Sequence, residues 1–390
     1  MSAAVGGSAV KPSAGQLQVH RVTTDADRKS FLRFPYRLYR NDPHWIPRLW
    51  PEQMAWLRRE NPFFEAGDAE WFFARRQGEV VGTVGVAIDH AANRVRQRHW
   101  GIIGFLEFFE DEQVFAALID QAREYLRLRG CTHMVGPSSF TGNDFPGLLV
   151  GRYDVPAALY EGHTPPYYLA FAEQAGWSTS SDTLAYRFEA RRAGEHLELL
   201  PRKLLHVAER VSRNPRCSLR HAEMAHYERD LALVRRIYNR SLASLPDFTP
   251  MAEDELRRFA ESLRPILVED LVWFALVDGQ EVGFSLAVPN VAEAFHRCGG
   301  LRYPWQYLQL AWAMRRIRSV SFKILAVEPE FWGMGLEAWM FARIGEVSLR
   351  RGYRWLDGSL TGEDNPQTNK ISLRLGGEEY KRYRVFTVPV

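Results

Sequence analysis

The sequence predicts a mixed α/β fold, a largely antiparallel sheet flanked by helices, built twice in one chain. Three observations point there. Phe73-Ala74-Arg75-Arg76-Gln77-Gly78-Glu79-Val80-Val81-Gly82 matches Phe274-Ala275-Leu276-Val277-Asp278-Gly279-Gln280-Glu281-Val282-Gly283 at an offset of 201 residues. Arg129-Gly130, with Gly136 and Asn143, recurs as Arg351-Gly352, with Gly358 and Asn365, at an offset of 222. The order of predicted elements around these anchors is also the same in both halves.

In the first half the apolar positions Phe31, Phe34, Leu38 and Tyr39 recur at helical spacing between Thr24 and Tyr39, and Asp42-Pro43-His44-Trp45-Ile46-Pro47 then stops that helix. Runs over 69–74 and 80–88 read as strands, and Gln77-Gly78 joins them as a hairpin. Trp100 to Phe108 continues as a strand. Glu112 to Arg129 is an amphipathic helix with Val114, Phe115, Leu118, Ile119 and Ala122 on one side, ended by Gly130, and 131–135 is a short buried strand.

The second half repeats the order with a helix over 228–241, a hairpin at Asp278-Gly279, a strand over 320–327, a helix over 335–350 and a strand over 354–360. It also carries an extra segment, Tyr303-Pro304-Trp305-Gln306-Tyr307-Leu308-Gln309-Leu310-Ala311-Trp312-Ala313-Met314, followed by Arg315, Arg316 and Arg318. This segment is apolar almost all round, so it is read as buried in the core, against an acyl chain or against lipid. Between the halves, Leu199 to Arg220 alternates leucine and valine with arginine. It is read as a solvated linking helix or as a contact for a membrane surface or an anionic partner. The expected organisation is a disordered arm over 1–16, a first unit over 17–195, a linking helix over 196–222 and a second unit over 223–390.

A length of 390 residues suits two units, each large enough for its own core. The formal charge of +3 argues against a nucleic-acid partner. Cys131, Cys217 and Cys298 share no CxxC spacing, so neither a disulfide framework nor a metal site is expected, and a reducing cytoplasm is the simplest compartment. The first sixteen residues lack the charged-then-apolar order of a signal peptide. No apolar run reaches the roughly 18 residues of a spanning helix, so any membrane contact would be peripheral, at the inner membrane surface.

The halves differ at one decisive place. The second reads Pro329-Glu330-Phe331-Trp332-Gly333-Met334-Gly335-Leu336, a strand-to-helix turn whose glycines let backbone N–H groups close on a pyrophosphate. The first has Glu107-Phe108-Phe109-Glu110-Asp111-Glu112 there, and its carboxylates would repel an anion.

A strand to Val327, the Gly333-Met334-Gly335 turn, a helix, a Gly352-led strand and Asn365 before another helix together resemble the GCN5-related N-acetyltransferase (GNAT) fold. Phe34-Pro35-Tyr36-Arg37-Leu38-Tyr39, Asn61-Pro62-Phe63-Phe64, Gly136-Pro137-Ser138-Ser139, Pro165-Pro166-Tyr167-Tyr168 and the stretch from Gly376-Gly377 to Tyr383-Arg384 narrow the resemblance. They are similar to a family of bacterial tandem GNAT proteins, mostly uncharacterised, to which bacterial ceramide synthases are similar. The resemblance implies transfer of an acyl group from acyl-CoA to a primary amine, with a small-molecule or lipid amine, of the long-chain sphingoid type, as acceptor. It implies that Val327, Trp332, Gly333, Met334, Gly335, Leu336 and Asn365 hold the acyl-CoA. Two departures stand out. Trp332 occupies a position where relatives often carry arginine, and Ser372 occupies the place of the tyrosine that protonates the leaving thiolate in many of these enzymes.

Amine acylation needs a proton acceptor, a polarised thioester carbonyl and a proton source for the thiolate. Asp357 is a candidate base or a partner of Arg354, and Asn365 a candidate ligand for the acyl carbonyl or pantetheine amide or a helix cap. His163 is a candidate base that would have to reach across from the first half. Tyr168, with Tyr167, could supply the proton missing at Ser372 or anchor the packing. Asn143 and Asp144 are candidates for the amine pocket, and Trp305 for an acyl-chain wall. With no cysteine in the motifs, direct transfer is expected rather than a covalent acyl-enzyme. Rival readings are aminoacyl transfer from charged tRNA, as in the related Fem proteins, and a noncatalytic CoA-binding scaffold.

Overall fold

The structure, a computed structural model, describes residues 16–141, 144–193, 196–243, 250–251 and 253–390. The expected N-terminal arm lies outside these residues apart from Gln16. The first copy runs β1 (Leu17–Arg21), α1 (Asp25–Leu38), α2 (Trp50–Leu57), β2 (Gly67–Arg76), β3 (Glu79–Asp89), α3 (His90–Val95), β4 (Trp100–Phe108) and α4 (Glu112–Arg127). It continues with β5 (His133–Gly136), β6 (Leu148–Leu149), α5 (Pro166–Gln174) and β7 (Ser178–Glu189).

The stretch expected as one linking helix divides three ways. His196–Glu198 (β9) pairs with Arg191–Ala193 (β8), the helix α6 spans only Arg202–Ser212, and Cys217–His221 (β10) is the outer strand of the second copy. Leu204, Ala208 and Val211 bury one face of α6, so its arginines stand on a packed helix rather than a free linker. The second copy follows with α7 (Tyr227–Leu242), α8 (Glu253–Leu263), β11 (Val272–Val277), β12 (Gln280–Pro289), α9 (Ala292–Cys298) and α10 (Gln306–Met314). It ends with β13 (Ser319–Val327), α11 (Leu336–Arg350), β14 (Trp355–Gly362), α12 (Pro366–Arg374) and β15 (Glu378–Pro389).

Local chemistry accounts for these elements. Thr24 caps α1 in a capping box, with the Asp27 amide 3.1 Å from Thr24 Oγ1 and the Thr24 amide 3.0 Å from Asp27 Oδ2, an arrangement that stabilises by about 1 kcal/mol. Both hairpins turn through two residues in the left-handed region: Gln77 (φ 52°) and Gly78 (φ 80°), then Asp278 (φ 50°) and Gly279 (φ 81°). That geometry matches strand twist and favours glycine at the second position. The predicted apolar face of α4 is buried, and Asp111 caps the helix by accepting from the amides of Gln113 and Val114.

The strands form one sheet in the order β1-β2-β3-β4-β5-β15-β7-β14-β13-β12-β11-β10. Its centre departs from two separate units. The last strand of each copy lies beside the other copy's β5 or β14: β15 pairs with β5, β7 pairs with β14, and β7 and β15 pair with each other. Helices cover both faces. In the first copy α4 and α5 pack on one face, while Phe31 and Phe34 of α1 with Met54 and Leu57 of α2 pack on the other. In the second, α6 and α11 share a core with β11–β14, while Ile237 of α7 closes the opposite face against Phe274 and Phe284.

Candidate active site

In the second copy β13 and β14 run parallel only over Ser319–Ser321 and Trp355–Asp357. Beyond that point they part, and Lys323 to Val327 line a cleft instead of a strand partner. The strand leads into Gly333 (φ 81°) and Gly335 (φ 84°), which opens α11 as an N-cap with no side-chain hydrogen bond. A side chain at Gly333 would meet open space, whereas Gly335 lies under Val207 and Val211 of α6. The start of α11 therefore sets backbone amides beside open space, with the Glu337 side chain on its own amide and the Met334 amide on the Phe331 carbonyl at 3.4 Å. Leu336 is buried beneath them, and Met334 packs on the same core. Trp332 is half exposed and donates from Nε1 to the Val327 carbonyl at 2.7 Å, bracing the turn. Glu337 also lines the cleft, and burial pushes its carboxyl up.

The first copy has the same parting strands but fills the gap itself. β4 and β5 pair over Trp100–Ile102 and His133–Val135, then the Ser138 amide donates to the Ile103 carbonyl at 2.9 Å and the buried Phe140 ring packs against Gly85 and Gly104. At the start of α4 the Asp111 carboxylate occupies the amides that a phosphate would need. Of the acidic run, Asp111 is the carboxylate seated on these amides.

The cleft does not stop at the second copy. Its volume is 1970 Å³, and its walls come from both halves, from Gly333 and Asn365 at one side to Glu107 and His163 at the other. Residues 157–163 of the first copy cross it. The Leu159 carbonyl accepts from Lys323 Nζ at 2.8 Å, and the Leu159 amide donates to Asn290 Oδ1 at 3.0 Å. Beneath this crossing Asp357 is fully buried, with Ser321 Oγ at 2.5 Å, Lys323 Nζ at 3.6 Å and Tyr380 Oη at 3.4 Å. Glu161 accepts from Tyr380 Oη at 2.6 Å and from the Ala158 amide at 2.8 Å, with Lys381 Nζ 3.8 Å away. Burial pushes the Glu161 carboxyl up, helped by the Asp357 charge, and pushes the Lys323 and Lys381 ammonium groups down. Asp357 is thus shared with Lys323 below the cleft wall, whereas Lys323 itself reaches the cleft.

Glu107 is the residue whose role the sequence did not disclose. It sits at the end of β4, partly exposed to the cleft, and accepts from Tyr39 Oη at 2.7 Å and Tyr168 Oη at 2.8 Å. Both donors take Oε2. Burial pushes the carboxyl up to about 7, against the opposing pull of the two tyrosines. The signal available in the sequence was a glutamate at the very end of a strand, followed by the tyrosine pair of a distant Pro-Pro-Tyr-Tyr motif.

The other expected residues divide. His163 lines the cleft as required, but its Nε2 lies 2.8 Å from Asp42 Oδ2, while Nδ1 is buried without a partner among the described residues. Tyr168 is in the core, stacked on Phe108 at 4.2 Å between ring centres, and Tyr167 donates to the Phe108 carbonyl at 2.5 Å. Burial raises both phenols. Both rings pack in the first copy, and the Tyr168 hydroxyl meets Glu107 Oε2 at 2.8 Å. Asn365 caps α12 by accepting from the Thr368 amide at 3.2 Å while still lining the cleft. Asp144 lines the cleft with Arg48 at 3.4 Å; Asn143 lies outside the described residues. Trp305 is exposed, stacks on Tyr303 and lies outside the cleft wall, which α10 instead forms with Tyr307, Leu310, Ala311 and Met314. Among the described residues no group of three or more histidine, cysteine or acidic side chains converges as a metal site would.

Comparison with known proteins fits this geometry. Residues 33–139, in the first copy, match the Acetyltransferase (GNAT) family. The solved tandem GNAT protein from the clavulanic acid biosynthesis pathway superposes with a TM-score of 0.57 at 15% identity, covering 96% of this chain and 98% of that one. Over 380 residues the chain is 32% identical to the bacterial ceramide synthase of Caulobacter vibrioides, covering 95% of this chain and 97% of that protein. The chain belongs to the tandem GNAT family. This tandem GNAT protein is also 27% identical over 374 residues to Protein YghO of Escherichia coli, covering 92% of each. A GCN5-related N-acetyltransferase from Sphaerobacter thermophilus shares the fold, with a TM-score of 0.52 at 13% identity over 96% of this chain and 95% of that one. The membership makes the protein an N-acyltransferase, in a family that uses acetyl- or acyl-CoA with an amine substrate. The family match falls on the copy whose anion site is filled by Asp111, so it identifies a fold there and not a donor site.

Proposed function

We propose that this protein transfers a long-chain acyl group from its CoA thioester to the primary amine of a lipid-like, sphingoid-type acceptor. The observation that carries the reading is the single cleft joining the Gly333–Gly335 turn of one copy to Glu107 of the other. At 1970 Å³ it exceeds the roughly 300–1,000 Å³ of an ordinary small-ligand site, and suits two extended substrates at once. Its walls include Phe31, Trp56, Phe105, Phe341 and Leu310, which favour alkyl chains over a polar amine. The relative named bacterial ceramide synthase supports the same acceptor class.

The glycine turn and the amides of α11 would hold the CoA phosphates, with the parted β13 offering its backbone to the donor. Lys323, presented to the cleft by Leu159 and Asp357, would polarise the thioester carbonyl. Glu107, with a carboxyl poised near neutrality, would take the proton from the acceptor's ammonium. The amine nitrogen then attacks the carbonyl carbon, the C–N bond forms and the C–S bond breaks. The second nitrogen proton ends on the departing sulfur, giving amide and free CoA.

The test follows CoA release from acetyl-CoA and palmitoyl-CoA with short and long-chain primary amines. The reading expects turnover with the long donor and long amine, and at least about tenfold lower kcat/KM when either is replaced by its short counterpart. Equal turnover with acetyl-CoA and a short polar amine would overturn the lipid assignment.

A further inference from the structure

Helix α10 has two faces with different tasks. Tyr307, Leu310, Ala311 and Met314, at spacings of three and four, line the cleft. Turned away from it stand Trp305, Leu308 and Trp312, again at helical spacing, with exposures of 57%, 78% and 51%. Of the eleven large hydrophobic residues exposed among the described residues, five fall between Tyr303 and Trp312. This is a concentrated apolar surface and not the scatter expected of an ordinary exterior.

Along the chain the charge of this stretch has one sign, although the Glu293 carboxylate of α9 accepts from the Arg318 amide at 3.0 Å. From Gly299 to Ala326 the sequence contains no aspartate or glutamate, yet it contains Arg302, Arg315, Arg316 and Arg318. Arg315, Arg316 and Arg318 are exposed and join no side-chain ion pair among the described residues. Arg316 lies over the Trp312 ring at 3.6 Å, and Arg302 over the Tyr303 ring at 4.4 Å. Arginine heads over aromatic faces at an exposed apolar surface suit a bilayer interface. There the ring sits at headgroup depth and the guanidinium reaches lipid phosphate.

We propose that Tyr303, Trp305 and the outer face of α10 form a docking surface for an anionic lipid bilayer. Anionic headgroups answer the unpaired arginines, and the interfacial region takes the tryptophans and Leu308. Docking does not depend on the amine's identity. That the same helix walls the cleft gives docking a use, delivery of a lipid acceptor along α10, and this consequence rests on the acyl-transfer reading. The reach of the surface suits a peripheral contact, since no helix among the described residues is long and apolar enough to cross a membrane.

Sedimentation of the full chain with vesicles of phosphatidylcholine alone, and of equal parts phosphatidylcholine and phosphatidylglycerol, tests the proposal. The protein should bind the anionic vesicles at least about tenfold more tightly, and lose that binding as salt rises from about 0.1 M to about 0.5 M. Trp305→Ser with Leu308→Ser and Trp312→Ser, and separately Arg315→Glu with Arg316→Glu, should each weaken binding at least about tenfold while far-UV circular dichroism and melting stay unchanged. Failure of the wild type to bind anionic vesicles overturns the proposal, as does undiminished binding by folded variants. Light scattering that shows a wild-type dimer and monomeric variants, with no vesicle binding by either, would instead make this face a contact between two copies.

Discussion

Tyr168 donates to Glu107 Oε2 at 2.8 Å from the core of the first copy, on the same oxygen that accepts from Tyr39. If Glu107 is the proton acceptor, activity falls as pH drops through about 7, where the carboxyl protonates. Glu107→Gln should lower kcat about 10²–10⁴-fold with little change in KM for the donor. Tyr168→Phe removes a donor that favours the charged form, so the acidic limb of the pH–rate profile moves to higher pH. A purely structural Tyr168 would lower stability and leave that limb where it is.

The same carboxyl makes a stability prediction with a definite sign. Its folded value, about 7, lies above the ordinary 4.5, so the folded state binds the proton more tightly than the unfolded state does. That contribution is fully present below about 4.5 and is lost as pH rises through 7. Glu107→Gln should therefore melt higher than the wild type at pH about 8, and the difference should shrink at pH about 5. Melting curves at the two pH values decide it.

Lys323 and Asp357 are both buried, 3.6 Å apart. Removing Lys323 takes an opposite charge from a buried carboxylate that still accepts from Ser321 and Tyr380, so Lys323→Met should cost up to about 3–5 kcal/mol. Lys323→Met combined with Asp357→Asn should recover a large part of that loss. Urea titrations of the two singles and the double variant give the coupling directly; simple additivity would mean that the pair contributes nothing as a pair.

The central strands predict how the chain can be divided. Since β15 completes the first copy and β7 the second, residues 1–195 and 196–390 each lack a strand that their own sheet needs. Expressed separately, each fragment should aggregate or lack cooperative melting, because the missing strand leaves a long sheet edge open. Expressed together, they should copurify as a folded pair. Two independently cooperative, monomeric fragments would show that the exchange is dispensable.

The sequence made the repeat legible through residues that have few alternatives. Gly78 and Gly279 recur because a two-residue hairpin needs the left-handed region, and Gly333 and Gly335 mark a turn that side chains would strain. The strand exchange was not legible. β7 and β15 have ordinary strand patterns, and a pattern of inward and outward side chains says which face is buried, not which of two equivalent neighbours is paired. Glu107 was legible as charge but not as chemistry. The acidic run was read as a barrier to anions, and Asp111 is seated on the α4 amides, whereas Glu107 points to the cleft because two tyrosines far off in sequence, Tyr39 and Tyr168, hold it there. A helix apolar on every side reads as buried in the core, against an acyl chain or against lipid without saying which face meets which; α10 lines the cleft on one side and leaves Trp305 exposed.

The most direct test of a shared site is to measure acyl-CoA affinity by calorimetry and single-turnover rate in two variants, Gly333→Glu and Glu107→Gln. A carboxylate at Gly333 projects into open space beside the α11 amides, so the fold should tolerate it while acyl-CoA affinity falls at least about tenfold. Glu107→Gln should bind acyl-CoA as the wild type does and fail in the chemical step. The reverse pattern, with Glu107→Gln losing the donor and Gly333→Glu keeping it, would move the donor site to the first copy and contradict the account.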